Sequence, residues 1–125
     1  MCYKLIGLAV AGAAGTLARY GLGGLAQRWL GESFPWGTAV VNVAGCFAFG
    51  VVWGLASDRW TITPETRTVI LVGFLGAFTT FSTFVSETGQ LFSDAEVLIG
   101  LGNVAFQFVA GIGVFFFGLA VGRAV

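Results

Sequence analysis

The chain has 125 residues, of which 57% are hydrophobic and 10% charged, and its mean hydropathy is +0.91. Soluble domains average nearer ~25% charged residues, and six basic plus six acidic side chains cannot cover a water-facing surface of this size; the composition is that of an integral membrane protein. Zero net charge offers no basic face for nucleic acid, histidine is absent, and Cys2 at the terminus with Cys46 inside an apolar run makes neither a metal site nor a disulfide framework.

A helix needs about 20 apolar residues to cross the hydrocarbon, so four spans use most of the chain, as one domain. The first is Leu5 to Leu30, apolar for its first half and then interrupted by Arg19. The apolar run starts at once, has no clear cleavage motif and continues as a span, so no cleavable signal peptide is expected. GESFP follows as a turn, with Pro35 placed to open the second span, Trp36 to Ala56, which carries Thr38 and Asn42. Trp36 and Trp53 lie near its ends, where indoles favour the membrane interface. SDRWTITPE, Ser57 to Glu65, is the clearly polar loop. The third span covers Arg67 to Phe92, and the fourth Val97 to Val121, with Asn103 and Gln107 four residues apart on one helical face.

No alternation of the kind found in barrel strands appears. The reading is an all-α membrane protein of four spans with both termini on one side. Glycine is frequent, with 20 in the chain, and the pair Gly118 and Gly122 has the spacing that lets helix backbones approach closely. Lys4, Arg59, Arg67 and Arg123 fall on the side of the termini. Arg28, and Arg19 if near it, fall on the other, so the charge balance leans toward cytoplasmic termini without excluding insertion both ways.

Three features cost energy in lipid. A charge such as Arg19 costs about 2.5 to 3.5 kcal/mol at a helix centre on insertion scales; it either snorkels from near the helix end or marks the mouth of an anion pathway. Spans one and two hold no carboxylate of the kind a cation exporter would use. Asn42, Asn103 and Gln107 must each find partners: either they bond neighbouring helices, or they present donors to a solute along a polar track.

The third feature is GFLGAFTTFSTF, Gly73 to Phe84. In a continuous helix Phe74, Phe78, Phe81 and Phe84 would form a stripe. Two glycines, β-branched threonines and competing hydroxyls instead predict a broken helix. Irregular backbone at membrane depth survives only when buried in protein or lining a cavity. Carbonyls freed at such a break can bind a cation, ring edges can face an anion, and hydroxyls and amides can donate to it. Weak, repeated binding of this kind is what conduction requires.

GFLGAFTTFSTF with Ser86 and Glu87, GTLARY (Gly15 to Tyr20) and PWGTAVVNVAG (Pro35 to Gly45) together resemble the Fluc (CrcB) fluoride channel family, over the whole chain. The resemblance implies an antiparallel, dual-topology homodimer in the inner membrane, with two pores exporting fluoride passively from the cytoplasm. It implies a structural Na+ at the dimer centre, held by the carbonyls of Gly76 and Thr79. It places Phe81 and Phe84 along the pores, with Asn42, Ser82, Thr83 and Arg19, and puts Asn103 and Gln107 where many members carry tyrosine and serine. Ala77 follows Gly76 where the family often has a second glycine. Composition and spacing alone do not separate fluoride from chloride.

A four-helix multidrug or guanidinium exporter would share the size and layout but should carry a membrane glutamate in its first helix, where this chain has Arg19. A purely structural membrane protein would leave the broken third span unexplained. Enzyme chemistry is not expected: no base accompanies the hydroxyls, Glu87 and Asp94 make no convincing acid pair, and no phosphate-binding loop occurs.

Overall fold

A computed structural model describes residues 2–58 and 62–125 of the chain. Helix α1 runs Cys2–Leu30 and α2 runs Trp36–Asp58. The third span is segmented: α3 is Pro64–Thr68, a π-helical stretch covers Val69–Leu75, α4 is Gly76–Phe78, and α5 is Phe81–Ser93. Helix α6 is Val97–Ala124. Four helical stretches are thus long and apolar enough to cross a membrane: Tyr3–Leu30, Trp36–Ala56, Pro64–Ser93 and Val97–Ala124. The chain is a multi-pass, all-helical membrane protein.

The helices overrun the expected spans by one to three residues at their ends. Hydropathy marks the apolar middle, whereas helical hydrogen bonding continues into the interface until a cap stops it. At Pro64 the cap is Thr63, whose hydroxyl accepts from the Thr66 N–H at 3.2 Å, and proline at the first helical position needs no N–H partner. Gly31, at φ +95°, ends α1 in the left-handed region that glycine adopts without strain. Arg59, counted above on the terminal side, lies outside the described residues. Arg67 stands over the Trp53 ring at 3.8 Å.

Small residues decide how the helices meet. The closest pairing is α2 with α6. There Gly118 faces the Phe47 carbonyl and Gly122 the Val51 carbonyl, while Gly50 and Gly54 on α2 face the carbonyls of Phe115 and Leu119. The GxxxG spacing expected in α6 is thus answered by one in α2. Helix α1 packs on the first part of the third span, where Gly15 meets the Phe74 backbone, and on α2, where Gly23 and Gly37 stand backbone to backbone. Val41, Leu71, Leu75 and Phe78 form the buried apolar cluster between these elements.

Candidate functional site

The third span breaks at Thr79 and Thr80, which are extended (φ −85°, ψ 160° and φ −150°, ψ 113°). Its approach is already loosened: the Gly76 N–H reaches back five residues to the Leu71 carbonyl, the wider π spacing that recurs at functional sites. Thr79 then closes the turn, its N–H and its hydroxyl both donating to the Leu75 carbonyl at 3.0 and 2.9 Å. Thr80 restarts the helix as N-cap of α5, accepting from the Thr83 N–H at 3.3 Å.

Two consequences follow at the backbone. In an unbroken helix the Thr80 N–H would bond the Gly76 carbonyl; here it donates to Asn42 Oδ1 at 2.8 Å. Likewise the Thr83 N–H goes to the Thr80 hydroxyl, leaving the Thr79 carbonyl. The carbonyls of Gly76 and Thr79 therefore both lose their helical donors. Gly76 is exposed and Thr79 is half-buried.

Two clefts meet at the break. One, of about 580 Å³, is bordered by Gly76, Thr79, Phe81, Phe84, Asn42 and Gln107 among other residues. The second, of about 490 Å³, is bordered by Arg19, Thr83, Thr38, Gln27 and Glu87. Thr80 borders both, so the interrupted backbone is the wall between them. Arg19 lies eleven residues before the end of α1, about 16 Å at 1.5 Å per residue. It lines the second cleft half-buried, away from the helix end.

The break also splits the phenylalanine stripe. Phe74 stacks on Phe78 at 5.8 Å before it, and Phe81 tilts against Phe84 at 5.8 Å after it. Phe84 is buried and meets the edge of Phe108, whereas Phe81 is 72% exposed. Ser82 is exposed on the first turn of α5 and borders neither cleft.

The three carboxamides meet one another. Asn42 donates to the Thr80 carbonyl at 3.1 Å and to Gln107 Oε1 at 2.8 Å, so both its protons are taken within the chain. Gln107 donates to Asn103 Oδ1 at 2.8 Å, as their shared face implies. Asn103 is fully buried and borders neither cleft; it donates to Thr88 Oγ1 at 2.9 Å. Of the two roles open to these amides, bonding between helices is thus realised in all three, and Asn42 and Gln107 also face a cleft.

Sequence reasoning named Thr38 and Glu87 but gave neither a site role, and it did not name Thr88. Thr38 Oγ1 donates to Glu87 Oε1 at 2.8 Å across α2 and α5, while Glu87 Oε2 is shielded with no hydrogen-bond partner among the described residues. A carboxylate well inside an apolar span was the available signal for the first pair. A threonine in a helix gave none.

Residues 6–119 match the family described as CrcB-like protein, Camphor Resistance (CrcB). The chain belongs to the CrcB family. Among CrcB relatives, proteins named "Fluoride-specific ion channel FluC" are similar over the full length of both chains: 54% identical in Solidesulfovibrio magneticus, 48% in Nitrosococcus oceani and 47% in Desulforapulum autotrophicum. A CrcB-family assignment over this length covers all four spans and both clefts.

Proposed function

We propose that this chain is a fluoride channel, working as an antiparallel, dual-topology homodimer of four-helix subunits in the inner membrane. It would carry fluoride passively out of the cytoplasm through two pores, and it is a conduit, not an enzyme. The observation that supports this best is the interrupted third span, which walls two clefts and carries Phe81 and Phe84 just past the interruption, in a chain whose full-length relatives bear the fluoride-channel name.

The route runs from the Arg19 cleft past Thr80 to the rings of Phe81 and Phe84. The Arg19 guanidinium draws an anion to the mouth without trapping it, because no full positive charge follows among the residues at the break. Beyond it stands the N-terminus of α5, whose unpaired N–H groups carry partial positive charge toward the break. Thr83 Oγ1 accepts from the Thr80 hydroxyl at 2.9 Å and keeps its own proton for an anion, whereas the exposed Ser82 lies 3.4 Å from that same Thr80 hydroxyl and donates to it. Phenyl rings present positive edges to a small, strongly hydrated ion that must exchange water for close donors. Asn42 holds the backbone at the break, and Gln107, which gives one amide proton to Asn103, lines the cleft with Asn42.

Phe81, Gly76 and the cleft they border leave an apolar surface open on the subunit. A second copy running the opposite way would cover it, bringing a Phe81 from each subunit beside the other's Phe84. Gly76 and Thr79 of both subunits would hold the Na+. The fit rests on their carbonyls, oxygen donors released from helical bonding. When bound, the ion supplies a central positive charge joining two breaks.

Fluoride efflux from proteoliposomes, with chloride as control, tests the reading. Selective fluoride release by folded protein is expected; absence of release from folded, reconstituted protein would overturn it.

A further inference from the structure

A single run of hydrogen bonds leaves the break and returns to the same half-helix one turn later. The Thr80 N–H donates to Asn42 Oδ1, Asn42 Nδ2 to Gln107 Oε1, Gln107 Nε2 to Asn103 Oδ1, Asn103 Nδ2 to Thr88 Oγ1, and the Thr88 hydroxyl to the Phe84 carbonyl at 2.7 Å. The path starts on the third span, crosses α2 and α6, and ends on α5. Its direction is dictated from both ends. A backbone N–H only donates and a carbonyl only accepts, so every amide between them has one orientation. All donors point the same way, and each bond polarises the next.

Thr88 closes this circuit. It is 6% exposed and borders neither cleft. A threonine hydroxyl donating to the carbonyl four residues earlier is ordinary in a membrane helix. Here that donation has a further effect: with its proton committed to Phe84, the oxygen must accept from Asn103. Asn103 then must accept from Gln107, and Gln107 from Asn42.

We propose that Thr88 is a positioning residue for anion passage. Through Asn103, Gln107 and Asn42 it holds the extended turn at Thr80, and through its own hydroxyl it holds the backbone of Phe84. It thereby fixes the two ends of the α5 segment that borders the route, without touching the ion. In this chain the amides of α6 serve as a brace behind the pore wall, and only Gln107 reaches a cleft. This rests on the fluoride-channel reading above.

The test compares wild type, Thr88→Val and Thr88→Ser in proteoliposome fluoride efflux, with amide hydrogen exchange at Thr80 measured on the same proteins. Thr88→Val keeps the volume and removes the hydroxyl. Efflux should fall by about tenfold, the scale of one buried amide left unpaired, and exchange at Thr80 should quicken. Thr88→Ser keeps the hydroxyl and should restore both. Val and Ser variants alike in both readouts, or a Val variant equal to wild type, overturn the proposal. If Thr88→Val does not fold, wild-type exchange decides: Thr80 must exchange more slowly than Ser82, and equal rates overturn the brace. A wild type that releases no fluoride but protects Thr80 and loses that protection in Thr88→Val removes the channel reading and leaves the brace standing.

Discussion

Asn42 pairs with Thr80 through both backbone groups of that residue, accepting from its N–H at 2.8 Å and donating to its carbonyl at 3.1 Å. One side chain on α2 thus does for the extended turn what a neighbouring strand would do, and this lets irregular backbone persist within a span. Asn42→Asp keeps the acceptor but sets oxygen against the Thr80 carbonyl and against Gln107 Oε1. It should lower stability by about 1–3 kcal/mol for the unsatisfied groups and abolish efflux. Thermal unfolding in detergent and fluoride flux are the measurements; an Asp variant as stable and active as wild type would show that the pairing is dispensable.

The two rings beyond the break should separate stability from passage. Phe81 is 72% exposed on the subunit and Phe84 only 6%. Phe81→Ile and Phe84→Ile should each reduce fluoride efflux at least about tenfold, equivalent to ~1.4 kcal/mol at the barrier, while the protein stays folded. Phe84→Ile should also lower the Tm of the subunit, since it removes a buried ring. Wild-type efflux from both variants would remove the rings from the route.

Packing of α2 on α6 gives a prediction independent of transport. A Cβ at Gly118 would meet the Phe47 carbonyl, whereas one at Gly113 would meet nothing within 4 Å. Gly118→Ala should destabilise by about 1–3 kcal/mol through overpacking against backbone that cannot move aside. Gly113→Ala should be neutral, or stabilising by up to about 1 kcal/mol through its better helix propensity. Tm values in one detergent test the contrast, and equal Tm values would contradict the close approach.

Sodium should matter to assembly rather than to the single subunit. If the freed carbonyls of Gly76 and Thr79 hold Na+, purification with an organic cation in its place should lower dimer content and efflux together, and added Na+ should restore both. Gly76→Ala is the companion test. A Cβ there meets only the Leu71 carbonyl, at 3.7 Å, so the subunit should fold and any loss of activity reports on the centre of the assembly. Dimer content and flux indifferent to Na+ would end that assignment.

Much of this was legible in the order of residues. Four apolar stretches without strand-like alternation declared the spans, because such a segment satisfies its own backbone groups in lipid only as a helix. Gly76 with the Thr79–Thr80–Phe81–Ser82–Thr83 run declared a break because glycine and hydroxyl-bearing residues compete against helix continuation. Asn103 and Gln107 declared a shared face by their spacing. Leu30, Trp36 and Val97 match the expected ends, while other helix ends run one to three residues further, because capping depends on single side chains such as Thr63 that hydropathy does not register.

Residue types alone state what each polar group in the membrane needs: a partner for Asn42, for the two α6 amides, and for the carbonyls at the interruption. Which partner each one meets depends on how the helices cross. Three-dimensional packing of α2, α5 and α6 brought Asn42 to Thr80, Gln107 to Asn42 and Asn103 to Thr88, residues up to 65 positions apart. A hydrogen bond is satisfied within about 3 Å, a distance that residue types can demand but that only the crossing of helices can supply.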